Sequence, residues 1–256
     1  MDNLALKLVL TPALIGGATL AGRRWGQSVG GWLVGLPLTT GPVAFFIALD
    51  HGAAFAAAAV VGSLVGAIAE VAFTVAYGWS ATRRAWPVAL VAGSAAYAVT
   101  AAILLPLDLG PAALFALVVA ALALSLRLMP AATARETPAV PPPWDLPARM
   151  VLATAVVLAL TALAPRLGAR WSGLLATYPL FAAILTAFGH HVQGAGAALG
   201  VLRGLLFGLF SFGAFCLVLA VGLVPLGIAG AFAAAVVVAL LVQGIALWRL
   251  RAPRLG

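Results

Sequence analysis

Glu70 is the acidic residue that the sequence sets deep inside an apolar run, Ala67-Ile-Ala-Glu70-Val-Ala-Phe73. A carboxylate at membrane depth must be neutralised by a proton, a partner or water, which makes it a functional candidate by default. The structural alternative is a carboxylate bonded to a neighbouring helix. Arg203, also within an apolar run, is its natural partner if the two lie at matching depth; the alternative is that its stem lies along apolar surface while its head reaches the headgroups. Two further clusters interrupt apolar runs: Pro37, Thr39, Thr40, Gly41 and Pro42, and then Thr177, Tyr178 and Pro179. Proline removes a backbone donor and clashes with the preceding turn. The carbonyls it frees need partners, and in lipid those come from protein, ordered water or a bound solute. Such breaks either line a cavity or merely bend helices that nearby threonines satisfy.

The remaining reactive residue types point to little chemistry. Asp50-His51 and His190-His191 are expected at opposite membrane faces, so they cannot supply the three or four convergent ligands of a zinc site. Capping of helix ends or proton exchange at the mouths are their two readings. A lone Cys216 excludes an internal disulfide and a multi-cysteine cluster. No phosphate-binding loop, nucleophile-base set or carboxylate pair is present. The sequence therefore predicts no catalytic residues, no enzyme activity, no cofactor and no metal.

These residues sit in a chain of 256 residues that is 64% hydrophobic and 8% charged, with a mean hydropathy of +1.17. Soluble domains carry about 25% charged residues, so this surface is built to face lipid. A soluble enzyme, a nucleic-acid-binding module and a disordered protein are excluded. About 20 apolar residues cross the hydrocarbon layer, and nine such stretches fall between polar breaks: 4–22, 31–50, 54–79, 86–106, 111–129, 147–165, 172–190, 196–221 and 226–248. The first is expected to remain in the mature protein, since no small-x-small cleavage site ends it. Pro130 to Leu146, with Arg135, Glu136, Asp145 and Pro141-Pro142-Pro143, reads as a polar linker.

Positive residues in short loops are retained on the cytoplasmic side. With nine crossings, one side receives Arg23, Arg24, Arg83, Arg84, Arg127, Arg135, Arg149, Arg249, Arg251 and Arg254, while the other receives Lys7, Arg166 and Arg170. The amino terminus is predicted outside and the carboxy terminus inside. Fusing 86–129 into one excursion would strand Arg149 and the last arginines outside. The same imbalance explains the pI near 11.3 through topology and anionic headgroups, with no nucleic acid needed. Most of the seven tryptophans lie near predicted ends, as interfacial anchors do.

Shifting the chain on itself by 142 positions reveals a repeat. Without a gap, Lys7 meets Arg149, Arg24 meets Arg166, Gly26 meets Gly168, Pro37-Leu38 meets Pro179-Leu180, Gly52-Ala53 meets Gly194-Ala195, and Gly62 and Gly66 meet Gly204 and Gly208. Crossings one to four then match six to nine, and the unmatched fifth makes the second copy enter from the opposite face. The expected fold is all-α: a transmembrane bundle of about nine helices in two inverted four-helix repeats joined by an extra helix. Its units would be 1–106, a linking helix and linker over 107–146, and 147–256. The glycine pairs Gly62/Gly66 and Gly204/Gly208 have the spacing of close helix contacts.

The first copy, Gly31-Trp-Leu-Val-Gly-Leu-Pro37-Leu, an apolar run into Phe45-Phe46, then Asp50-His51-Gly52 before an Ala-rich helix, resembles the GlpM family of small four-helix bacterial inner-membrane proteins. The second, Gly173-Leu-Leu-Ala-Thr-Tyr-Pro179-Leu through His190-His191-Val-Gln-Gly194, looks similar. The resemblance implies an integral protein of the bacterial inner membrane, multi-pass, in tandem duplication. Inverted repeats with broken helices near the midplane are the architecture of many secondary transporters. The leading expectation is a permease for a small molecule or ion, with the proton as candidate coupling ion. The alternative is a non-transporting scaffold that binds lipid or a partner in envelope assembly. The bilayer is the partner expected in either case.

Overall fold

The computed structural model describes residues 4–38, 40–130 and 141–251. Thr39, Arg135, Glu136 and Arg254 lie outside the described residues, as do the side chains of Lys7, Arg166, Arg170, Trp171 and Arg251. Among the described residues every regular element is a helix: α1 (Leu4–Trp25), α2 (Gln27–Val34), α3 (Thr40–His51), α4 (Ala53–Ala81), α5 (Trp86–Leu104), α6 (Pro111–Leu128), α7 (Asp145–Ala176), α8 (Leu180–Gln193) and α9 (Ala195–Arg251). Gly227 (φ 68°, ψ 173°) divides α9 into two arms. Four of these helices, α4, α5, α6 and α9, are long and apolar enough to cross a membrane. Val9, Val91 and Leu241 keep 71%, 68% and 64% of their surface exposed, which suits a lipid-facing exterior. The chain is that of a membrane-embedded protein.

The breaks fall partly where the sequence predicts them. The expected crossing 31–50 is two helices, α2 and α3, separated at Gly35–Leu38, and α2 already begins at Gln27. The expected gap at 166–171 is helical instead: α7 runs through it to Ala176, and the interruption comes at Thr177–Pro179. Pro179 decides this, because proline cannot continue the helical ladder and pushes the residue before it out of the α region.

Some element boundaries repeat at the 142-residue shift, although the α1–α2 break at Gly26 does not, since Gly168 lies within α7. Gly52 (φ 86°) ends α3 and Gly194 (φ 91°) ends α8, and a positive φ of this kind is open to glycine with no Cβ penalty. The four-residue gap before α5 likewise matches the bend before the second arm of α9.

Equivalent helices touch each other, and they do so antiparallel. On α1 and α7, Gly16 lies beside Met150 while Arg23 lies beside Asp145, so one helix descends as the other rises. On α4 and the first arm of α9, Gly78 lies beside Leu199, whereas Gly66 and Glu70 share a cavity wall with Leu209 and Phe212. The apolar core follows this α4–α9 seam through Leu64, Phe73, Tyr77, Leu202, Leu206 and Leu209, with α5 and α6 packed outside it.

Glycines set the closest approach. A Cβ on Gly31 would run into the Val201 carbonyl, and one on Gly204 into the Ser28 carbonyl, so α2 lies backbone to backbone against α9. Gly208 meets Gly35, and at the equivalent place Gly66 meets Thr177. Three of the four glycines read as packing residues therefore do pack; Gly62 has no neighbour within 4 Å of a Cβ among the described residues.

Candidate functional site

The two proline breaks are built alike. The Leu38 N–H bonds the Leu36 carbonyl at 2.8 Å and the Gly41 N–H bonds that of Pro37 at 2.9 Å; 142 residues on, Leu180 bonds Tyr178 at 2.7 Å and Ala183 bonds Pro179 at 2.8 Å. Pro179 has φ −74° and ψ 58°, the geometry of an inverse γ-turn. Closing on the carbonyl two residues back releases neighbouring carbonyls from the helical ladder.

Both breaks meet Glu70. A cavity of about 80 Å³ is lined by Val34, Gly35, Leu36 and Thr40 of the first break, by Thr177, Tyr178 and Pro179 of the second, and by Ser63, Gly66, Ala67 and Glu70 of α4. That volume admits a few waters or a small solute. Helix α4 aims this face inward because Ser63, Gly66, Ala67 and Glu70 recur at intervals of three and four.

Hydroxyls extend the site on its far side. Tyr97 on α5 bonds the Thr177 hydroxyl at 2.5 Å, and Ser94 bonds the Tyr178 hydroxyl at 2.8 Å. The Tyr97 and Tyr178 rings stand edge to face with centroids 5.5 Å apart. Tyr77, about two turns along α4 from Glu70, reaches His190 Nδ1 at 3.3 Å. A carboxyl group beside hydroxyls in such a space can hold a cation, accept from a donor-bearing solute or carry a proton.

Of the residues singled out from sequence, Glu70, Thr40, Thr177, Tyr178 and Pro179 are brought together. Pro37 lies in the break itself without lining the cavity, and Thr39 lies outside the described residues. Arg203 is half-buried on α9 and is not a lining residue. The two ion pairs within 4 Å among the described residues both belong to Asp145, and Glu70 with Arg203 is not one of them. Sequence reasoning left Asp145 in a linker. In the structure it is buried at the start of α7, with Oδ1 accepting from Arg149 Nη2 at 3.0 Å and Oδ2 accepting from Arg149 Nε at 3.0 Å and Arg23 Nη2 at 2.8 Å. Arg149 also bonds the Leu185 carbonyl and lies 5.1 Å over the Phe188 ring. The i, i+4 spacing of Asp145 and Arg149 was the available signal.

Sequence reasoning also missed Tyr97, Ser94 and Tyr77. The chain has three tyrosines, all inside apolar runs, and all three lie in this one region. Among the described residues no three His, Cys, Asp or Glu side chains gather to hold a metal.

No protein-family model, curated protein or solved structure matches the chain.

Proposed function

We propose that this protein is a secondary transporter of the bacterial inner membrane, moving a small solute or ion through the cavity at Glu70, with a proton as the coupling ion. The observation that carries this reading is the convergence of both γ-turn breaks with the one deep carboxylate on a single interior space. Antiparallel contact between equivalent helices supports an inverted relation between the halves, since a twofold axis along the membrane normal would leave such helices parallel. Sites between inverted halves, framed by broken helices, are where secondary transporters hold solute and coupling ion.

The arginine distribution supports an external amino terminus and a cytoplasmic carboxy terminus. Arg23, Asp145 and Arg149, the Gln27–Gln193 bond, the Tyr77–His190 bond and the Trp86–His191 ring contact all join elements at one end of the bundle. That end is the proposed cytoplasmic one. The GlpM-like motifs are consistent with the same membrane.

Replacing Cys216 with Ala leaves a chain free of thiols, in which Ser63→Cys reports on the cavity. A membrane-impermeant maleimide should label it from each face of right-side-out and inverted vesicles, with a proton gradient shifting the balance. In liposomes, Glu70→Gln should fold normally and lose proton-linked flux. Absence of labelling from both faces, with proton flux equal in wild type and Glu70→Gln, would establish a closed scaffold instead.

A further inference from the structure

A second hollow, of about 470 Å³, lies between α5, α7 and α8 and has almost wholly apolar walls, including Leu90, Leu152, Ile184 and Ala187. Its rim is formed by Trp86, Trp144 and His191, and the exposed Arg83 and Arg84 immediately precede Trp86. It reaches inward to Tyr178 and Leu180, which also wall the Glu70 cavity. From His191 to Leu180 along α8 is about 16 Å at the helical rise, half of a hydrocarbon layer about 30 Å thick. The groove is thus as long as one leaflet is deep.

The two halves differ here: Leu14, Leu36 and Leu38, the counterparts of Val156, Tyr178 and Leu180, line a smaller hollow of about 160 Å³. Under the 142-residue shift, Ala187 and Leu90 correspond to Phe45 and Phe232. Those two rings meet edge to face with centroids 5.2 Å apart and occupy part of the equivalent place, between α3 and the second arm of α9. The chain narrows one groove with its own side chains, and among the described residues no side chain fills the other.

We propose that the open groove binds one acyl chain of an anionic phospholipid from the arginine-rich leaflet. The chain packs on Leu90, Leu152 and Ile184. The headgroup stays at the level of Trp86, Trp144 and His191, where aromatic rings favour the interface and Arg83 and Arg84 attract negative charge. A zwitterionic lipid offers the same hydrocarbon without that attraction, so the site selects by headgroup charge. Occupancy is independent of whether the Glu70 cavity transports.

The test uses the full chain in liposomes doped with phosphatidylglycerol carrying a mid-chain diazirine, and in parallel with phosphatidylcholine bearing the same acyl group. After photolysis, adducts mapped by mass spectrometry should concentrate on Leu90, Leu152 and Ile184, more strongly for phosphatidylglycerol. Ala187→Phe introduces one of the two rings that narrow the counterpart and should lower groove adducts about tenfold, the equivalent of roughly two lost methylene contacts. Leu90→Phe, from the opposite wall, should do the same if the first variant folds poorly. Adducts spread over exposed faces such as Val99 and Val236 in both lipids, or groove adducts unchanged in both variants, would overturn the proposal. So would an absence of groove adducts, which would mean that another part of the chain covers it. Equal labelling by the two lipids would overturn the headgroup selectivity. Because adducts are read rather than flux, a failure here is distinct from a failure of the transport reading.

Discussion

Asp145→Asn is the perturbation with the clearest energetic consequence. The Asp145 side chain is fully buried and that of Arg149 is 2% exposed, while Arg23 keeps 31%. Removing the carboxylate strands the Arg149 guanidinium with only the Leu185 carbonyl and the Phe188 face, and an uncompensated buried charge costs about 3–5 kcal/mol. Removing Arg23 instead costs about 0–1 kcal/mol, because that pair is partly open to solvent and its geometry is single-contact. The double replacement Asp145→Leu with Arg149→Met removes both charges together and should recover most of the loss, ending within about 1–2 kcal/mol of wild type. The assay is reversible unfolding in mixed detergent micelles followed by tryptophan fluorescence. The three variants should rank with Asp145→Asn lowest. If Asp145→Asn lost less than about 1 kcal/mol, or if the double variant equalled the sum of its parts as independent sites do, the account of a buried charge held by its partners would be wrong.

Gly204→Ala drives a Cβ into the Ser28 carbonyl and should destabilise by about 1–3 kcal/mol as overpacking does. Gly62→Ala, with open space around it, should be neutral or gain up to about 1 kcal/mol of helix propensity in the same unfolding assay. Tyr97→Phe removes the hydroxyl bonded to Thr177; it should cost about 1 kcal/mol and speed maleimide labelling of Ser63→Cys, and an unchanged labelling rate would detach Tyr97 from the cavity. Reporter fusions should place residue 1 outside and residue 256 inside; both ends on one face would remove the inverted relation between the halves.

Composition alone determined the environment of this protein, because a surface with so few charges cannot be solvated by water. Apolar runs between polar breaks marked where most of the helices lie, and the 142-residue shift paired the two proline breaks, since Pro37 and Pro179 act locally through their missing N–H groups. Glu70 was legible for the same reason: a carboxylate in an apolar run is expensive wherever the helix ends up. What the sequence could not decide was which groups meet. Glu70 and Arg203 stand on equivalent helices and looked like partners, yet contact depends on the rotation of each helix about its axis. For α9 that rotation follows the glycine faces it shares with α2, where Gly31, Gly35, Gly204 and Gly208 bring the two backbones together. Asp145 shows the converse. Its neighbours in sequence are proline-rich and it lies at the end of an expected linker, and the packing of α1 against α7 supplies a second arginine, Arg23, from 122 residues away. Local chemistry is written residue by residue, whereas the pairing of distant charges is a property of helix packing that no single run of sequence contains.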